Sequence, residues 1–201
     1  MTMRRGLIWG FLVAVLVLVA AAAAYQRLAR PEPPPVLGRV PDFQLINRDG
    51  RKVSLADLAG RPWVADFIFT SCPASCPVMS LRLATFEQEL PDDLEHHLVS
   101  FSVDPENDTP EVLQRYAESF DAPPHWLFLT GTREQIYSLS KQGFKLGIDD
   151  SPQATAGGPE PILHSTRFTL VDGEGSIRGY YDAFDEAAVE RLRRDLLSLG
   201  E

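Results

Sequence analysis

The chain has 201 residues and a formal net charge of −9. That length favours one domain with extra segments, and the acidic balance argues against a nucleic acid partner, which needs a basic face. Cys72 and Cys76 are its only cysteines, too few for a disulfide-stapled scaffold.

Leu7 to Ala24 carries no charge, and Arg4 and Arg5 precede it. Its length is near the lower limit for a helix that spans a bilayer. It reads as a retained anchor with the N-terminus inside, a cleaved signal peptide being the alternative because its end is rich in alanine. Either way the rest of the chain is exported, and a bacterial envelope is expected. The domain boundaries expected are an anchor over 1–25, a proline-rich linker over 26–39 and a folded domain over 40–201. Pro31 to Pro35 (PEPPP) reads as a stiff spacer.

The folded part opens with a predicted hairpin around Asp49-Gly50. Trp63 to Phe69 is an apolar run of buried-strand length, leading directly into Thr70-Ser71-Cys72-Pro73-Ala74-Ser75-Cys76-Pro77. A helix is expected from Pro77, since proline is favoured in a first helical turn, with Val78, Leu81, Phe86 and Leu90 at helical spacing. A second strand is predicted over His97 to Val103. Thr109-Pro110-Glu111 then opens a helix to about Phe120. Trp126 to Leu129 is a third strand, and Thr132 to Gln135 makes a capping box. A second hairpin spans Thr166 to Tyr181 around Asp172-Gly173-Glu174-Gly175, and Asp185 caps a last helix. The order predicts an α/β domain with a mixed central sheet flanked by helices.

Cys72 and Cys76 fall between a buried strand and a helix, the edge where open α/β sheets bind ligands. A disulfide between residues so close constrains the unfolded chain little, so a reactive or metal-binding pair is the better reading. A helix N-terminus favours thiolate, and soft thiolates select Cu(I) and zinc over hard cations. Two ligands leave a site incomplete. His164, after a Pro/Gly-rich loop and just before a strand, is the candidate third. Such a set suits Cu(I), and Cu(II) with an added ligand. The pair's redox capacity keeps a thiol–disulfide oxidoreductase open beside a metal carrier.

Phe69-Thr70-Ser71-Cys72-Pro73-Ala74-Ser75-Cys76-Pro77, Val103-Asp104-Pro105-Glu106-Asn107-Asp108-Thr109-Pro110 and Leu163-His164-Ser165 together resemble the Sco/SenC family. The resemblance runs from about Val40 to the C-terminus. It implies a thioredoxin-like fold, with copper bound by Cys72, Cys76 and His164. It also implies a role in assembling the CuA centre of cytochrome c oxidase, and a place near the ligands for Asp104. The expected partners are the oxidase copper subunit, other periplasmic copper carriers and a thioredoxin-like reductant. The expected location is the inner membrane, single-pass, with the domain in the periplasm. Elsewhere, Met79, Trp63 and Trp126 read as core residues. His96 and His97 read as solvated, His125 as part of a surface turn, and Asp149-Asp150 as a solvated turn.

Overall fold

The computed structural model describes Trp9, Ala21 and residues 12–19, 33–145 and 165–200. The chain divides into two compact units, Met1–Pro33 and Pro34–Glu201. In the first, the described residues up to Ala21 are helical and exposed. Among the described residues no helix is long and apolar enough to cross a membrane. The expected anchor falls largely outside them.

The second unit is built on an eight-stranded mixed sheet. Its strands are β1 (Gly38–Arg39), β2 (Gln44–Asn47), β3 (Lys52–Ser54), β4 (Trp63–Ile68), β5 (His97–Ser102), β6 (Trp126–Thr130), β7 (Arg167–Val171) and β8 (Ser176–Asp182). Their spatial order is β1-β8-β7-β4-β5-β6-β2-β3. The middle strands β4, β5 and β6 run parallel, and the two hairpins flank them antiparallel. The first hairpin turns through Gly50, whose φ of +79° is a conformation side chains rarely adopt.

Among the described residues, four α-helices cover the sheet: α1 (Ser75–Gln88), α2 (Pro110–Glu118), α3 (Arg133–Ser138) and α4 (Glu186–Leu199). Their caps follow the expected chemistry. Thr109 accepts from the Val112 N–H, Thr132 and Gln135 form a capping box, and Asp185 accepts from the Ala187 N–H. A π-helical turn, Leu139–Gly143, prolongs α3 toward Phe144.

Every residue of β4 is buried, as a central strand covered on both faces must be. On one face, Phe67 stacks on its strand neighbour Phe101 with centroids 5.2 Å apart, and Phe144 meets Phe67 edge-on at 5.2 Å. The other face carries Val64, Asp66 and Ile68. There Trp126 donates its indole N–H to Ser100 at 2.9 Å, and Tyr116 of α2 packs edge-on against Phe128. Trp63, Trp126 and Met79 are core residues, as read from the sequence.

Helix α1 departs from expectation in two ways. It starts at Ser75, so Cys76 lies inside the first turn rather than before it. Its buried face is Cys76, Met79, Ser80, Leu83 and Phe86, whereas Val78 is 43% and Leu81 60% exposed. Moving the start two residues earlier rotates nothing. The apolar residues of α1 simply lie on more than one face, so periodicity alone does not choose the buried one.

Candidate metal and thiol site

Strands β4 and β5 end together, with Ile68 opposite Ser102. The chain leaves β4 through Phe69 and Thr70 and turns at Cys72, whose N–H donates to the Phe69 carbonyl at 3.2 Å. It enters α1 at Ser75. Cys76, in that first turn, donates its backbone N–H to the Cys72 sulfur at 3.4 Å. The Ser75 hydroxyl lies 3.5 Å from the same sulfur. Both cysteines are buried and both are free thiols.

The two sulfurs are unequal. Burial pushes the Cys72 thiol up, but the backbone N–H groups of Cys76 and Ala74 and the Ser75 hydroxyl outweigh it and bring it below the ordinary thiol value. Cys76 is pushed up to about 12, by burial first and then by the neighbouring Cys72 and the charge of Asp66. Asp66 is fully buried on β4, and a hydrogen bond from Ser100 of β5 offsets only part of the cost of that burial. Desolvation raises its pKa to about 7. Tyr116, whose hydroxyl lies 2.9 Å from that of Ser80, is also raised, chiefly by burial. The interior side of the thiol pair is thus lined by acids whose pKa values burial raises.

The loop that carries the cysteines is fixed by a residue that sequence reasoning missed. Asp108 is fully buried. Its carboxylate accepts the Thr70 N–H at 3.1 Å, the Thr70 hydroxyl at 2.5 Å and the Ser102 hydroxyl at 2.6 Å. It ties the ends of β4 and β5 together two residues before Cys72. Asp104, the aspartate expected either near the ligands or closing the turn at Pro105, makes turn contacts. Its carboxylate accepts from the Asn107 amide at 2.9 and 3.0 Å, and its own N–H donates to Ser102. Two aspartates stand four apart in one motif, and only their burial tells them apart.

His164 lies outside the described residues, as do Asp149 and Asp150. The strand that follows His164 is described. Ala65 of β4 pairs with Thr169 of the antiparallel β7, so Arg167, where β7 begins, arrives at the carboxyl edge of β4. That is the edge that holds Cys72.

His96 and His97, expected to be solvated, are not, whereas His125 does lie in a turn, as expected. His96 is buried and His97 and His125 are half-buried, none of them freely solvated. His96 and His125 both face Glu87, at 2.7 and 2.6 Å.

A buried dithiol at the carboxyl edge of a mixed sheet, one sulfur activated and the other suppressed at a helix N-terminus, defines a thioredoxin-like domain with a paired-thiol centre. The family model described as SCO1/SenC matches residues 35–197. The chain belongs to the SCO1/SenC family. It is 32% identical to the SCO1 protein homolog of Bacillus subtilis over 82% of this chain and 84% of that one. Among solved structures it is similar to BsSco, a member of the Sco family of cytochrome c oxidase assembly proteins in which a disulfide switch is identified. The likeness has a TM-score of 0.72 at 30% identity, over 85% of this chain and 98% of that one. It is also similar to ScoI of Bradyrhizobium japonicum with copper bound, with a TM-score of 0.64 at 27% identity, over 78% of this chain and 99% of that one.

Proposed function

We propose that this chain binds copper through Cys72, Cys76 and His164 and delivers it to, or helps mature, the CuA centre of cytochrome c oxidase. The observation that carries the reading is the pair of free thiols on one short turn, with the Cys76 N–H directed at the Cys72 sulfur. Soft sulfur donors at a helix N-terminus suit Cu(I), and an imidazole extends the set to Cu(II). The arrival of β7 at the same edge, three residues after His164, supports the third ligand. Copper is held in the related ScoI structure, and the related BsSco belongs to a family of oxidase assembly proteins. The domain acts outside the cytoplasm, tethered at the bacterial inner membrane by the N-terminal residues 1–25 through the proline-rich segment that follows them. Its partners are the oxidase copper subunit, the periplasmic carriers that supply copper and a thioredoxin-like reductant.

The inequality of the two thiols favours a second reading, a thiol–disulfide oxidoreductase acting on the cysteines of the oxidase copper subunit. Cys72 is the thiolate that attacks, and Cys76, protonated at rest, resolves the mixed disulfide as its proton passes to the departing substrate thiolate. In such a cycle the substrate disulfide gains two electrons and two protons, and Cys72 and Cys76 become a disulfide. Copper titration of the His164→Ala variant separates the readings. Loss of copper binding with retained dithiol exchange supports both roles at one centre. Parent-like copper binding removes the three-ligand carrier.

A further inference from the structure

Three of the four histidines in the chain, His96, His97 and His125, lie at the amino edge of the parallel strands, opposite the thiols. Glu87, in the last turn of α1, reaches the same edge. Eleven helical residues separate it from Cys76, about 16 Å at ~1.5 Å per residue. This cluster is therefore distinct from the thiol centre.

From its geometry we infer a second metal site, in which Glu87, His96 and His125 hold a borderline divalent cation of the zinc class. The ligand atoms of these three residues all lie within 4.8 Å of one another. The ring of His96 supplies the decisive detail. Its Nδ1 faces the Leu94 carbonyl at 3.0 Å. A carbonyl only accepts, so Nδ1 carries the proton, and in the neutral ring Nε2 presents its lone pair. Nε2 lies 2.7 Å from a Glu87 carboxylate oxygen, and without a cation the ring takes a second proton there and pairs with the carboxylate. A divalent cation replaces that proton, and Nε2 then offers its lone pair to the metal. An Nδ1–H anchored on a backbone carbonyl with Nε2 directed outward is the arrangement that orients metal-binding imidazoles.

His125 completes the set from the turn that leads into β6. Its Nε2 lies 2.6 Å from the other Glu87 oxygen, and its own backbone carbonyl accepts the Leu98 N–H. The three ligands thus come from a helix end, a loop and the residue before β6, each fixed by its own backbone. Zinc bonds of about 2.0–2.2 Å set ligands roughly 3.3 Å apart, so the glutamate must draw back by under an ångström. Two imidazoles and one carboxylate suit zinc, whereas hard cations prefer oxygen alone.

The test uses the full chain with Cys72→Ser and Cys76→Ser, so that the thiols bind no zinc. Equilibrium dialysis against zinc chloride at neutral pH is expected to show one bound equivalent, and zinc is expected to raise the melting temperature. Adding His125→Ala, a side chain 37% exposed and so tolerant of truncation, is expected to weaken binding at least tenfold and abolish the thermal shift. Glu87→Gln, which keeps the side chain's size, is expected to do the same and decides the matter if the alanine variant does not fold. No zinc equivalent on the serine background, or parent-like binding after either change, overturns the site.

Discussion

The backbone N–H of Cys76 points at the sulfur of Cys72, 3.4 Å away, and so one cysteine of the pair stabilises the thiolate of the other. The favour is not returned, because Cys76 sits deeper, near Asp66, and is pushed up to about 12. A brief exposure of reduced, copper-free protein to iodoacetamide at pH 7 is therefore expected to alkylate Cys72 first. Peptide mass spectrometry should find Cys76 essentially unmodified at the time when half of Cys72 has reacted. Equal labelling of the two would contradict the asymmetry.

Asp108 should matter more to stability than Asp104. Asp108→Ala strands the Thr70 N–H and the hydroxyls of Thr70 and Ser102, all held by one buried carboxylate. Unsatisfied buried donors cost about 1–3 kcal/mol each, and partial relaxation should leave a net loss of roughly 2–4 kcal/mol. Asp104→Ala removes an exposed contact to Asn107 and should cost under about 1 kcal/mol. Urea midpoints of the two variants, compared at equal slope, check the ranking.

Asp66 should give copper-free protein a pH-dependent stability of unusual sign for a carboxylate. Its folded pKa, about 7, lies above the unfolded value, so the folded state binds the extra proton. Stability is then highest below the unfolded pKa and falls as pH rises from about 4 to about 7, by up to roughly 4 kcal/mol. Asp66→Asn should flatten that fall. The measurement is the urea midpoint at pH 5 and pH 7.5 for parent and variant, and an unchanged slope in the variant would remove Asp66 as its source.

Copper uptake should require reduced thiols, since a Cys72–Cys76 disulfide has no thiolate to offer. Oxidised protein is expected to take up less than a tenth of the copper bound by reduced protein at the thiol centre, and dithiothreitol should restore the rest. Equal uptake by the two forms, read by gel filtration and metal analysis, would show that the sulfurs are not ligands.

Much of this was legible in the chain itself. The run Trp63 to Phe69 could only be a buried strand, Asp49-Gly50 could only be a turn, and the caps at Thr109, Thr132 and Asp185 announced their helices. Spacing also placed Cys72 and Cys76 at the strand–helix edge. What the sequence hid depended on contacts between distant segments. Val78 and Leu81 look as apolar as Met79 and Leu83, and only the packing of α1 on the sheet decides which face is covered. His96 and His125 sit in polar stretches, and nothing local reveals that Glu87 reaches both. Asp108 differs from Asp104 only in pointing inward, toward Thr70 and Ser102. The short strand β1, paired with β8 across the whole chain, carries no local pattern at all.

The most direct test of the copper reading is the absorption and paramagnetic resonance of reduced protein after one equivalent of Cu(II). Thiolate ligation by Cys72 and Cys76 predicts an intense sulfur-to-copper charge-transfer band and a single cupric signal, both lost when the two cysteines become serine and both altered in His164→Ala. A cupric spectrum without any sulfur band, indistinguishable between parent and the doubly substituted protein, would contradict it.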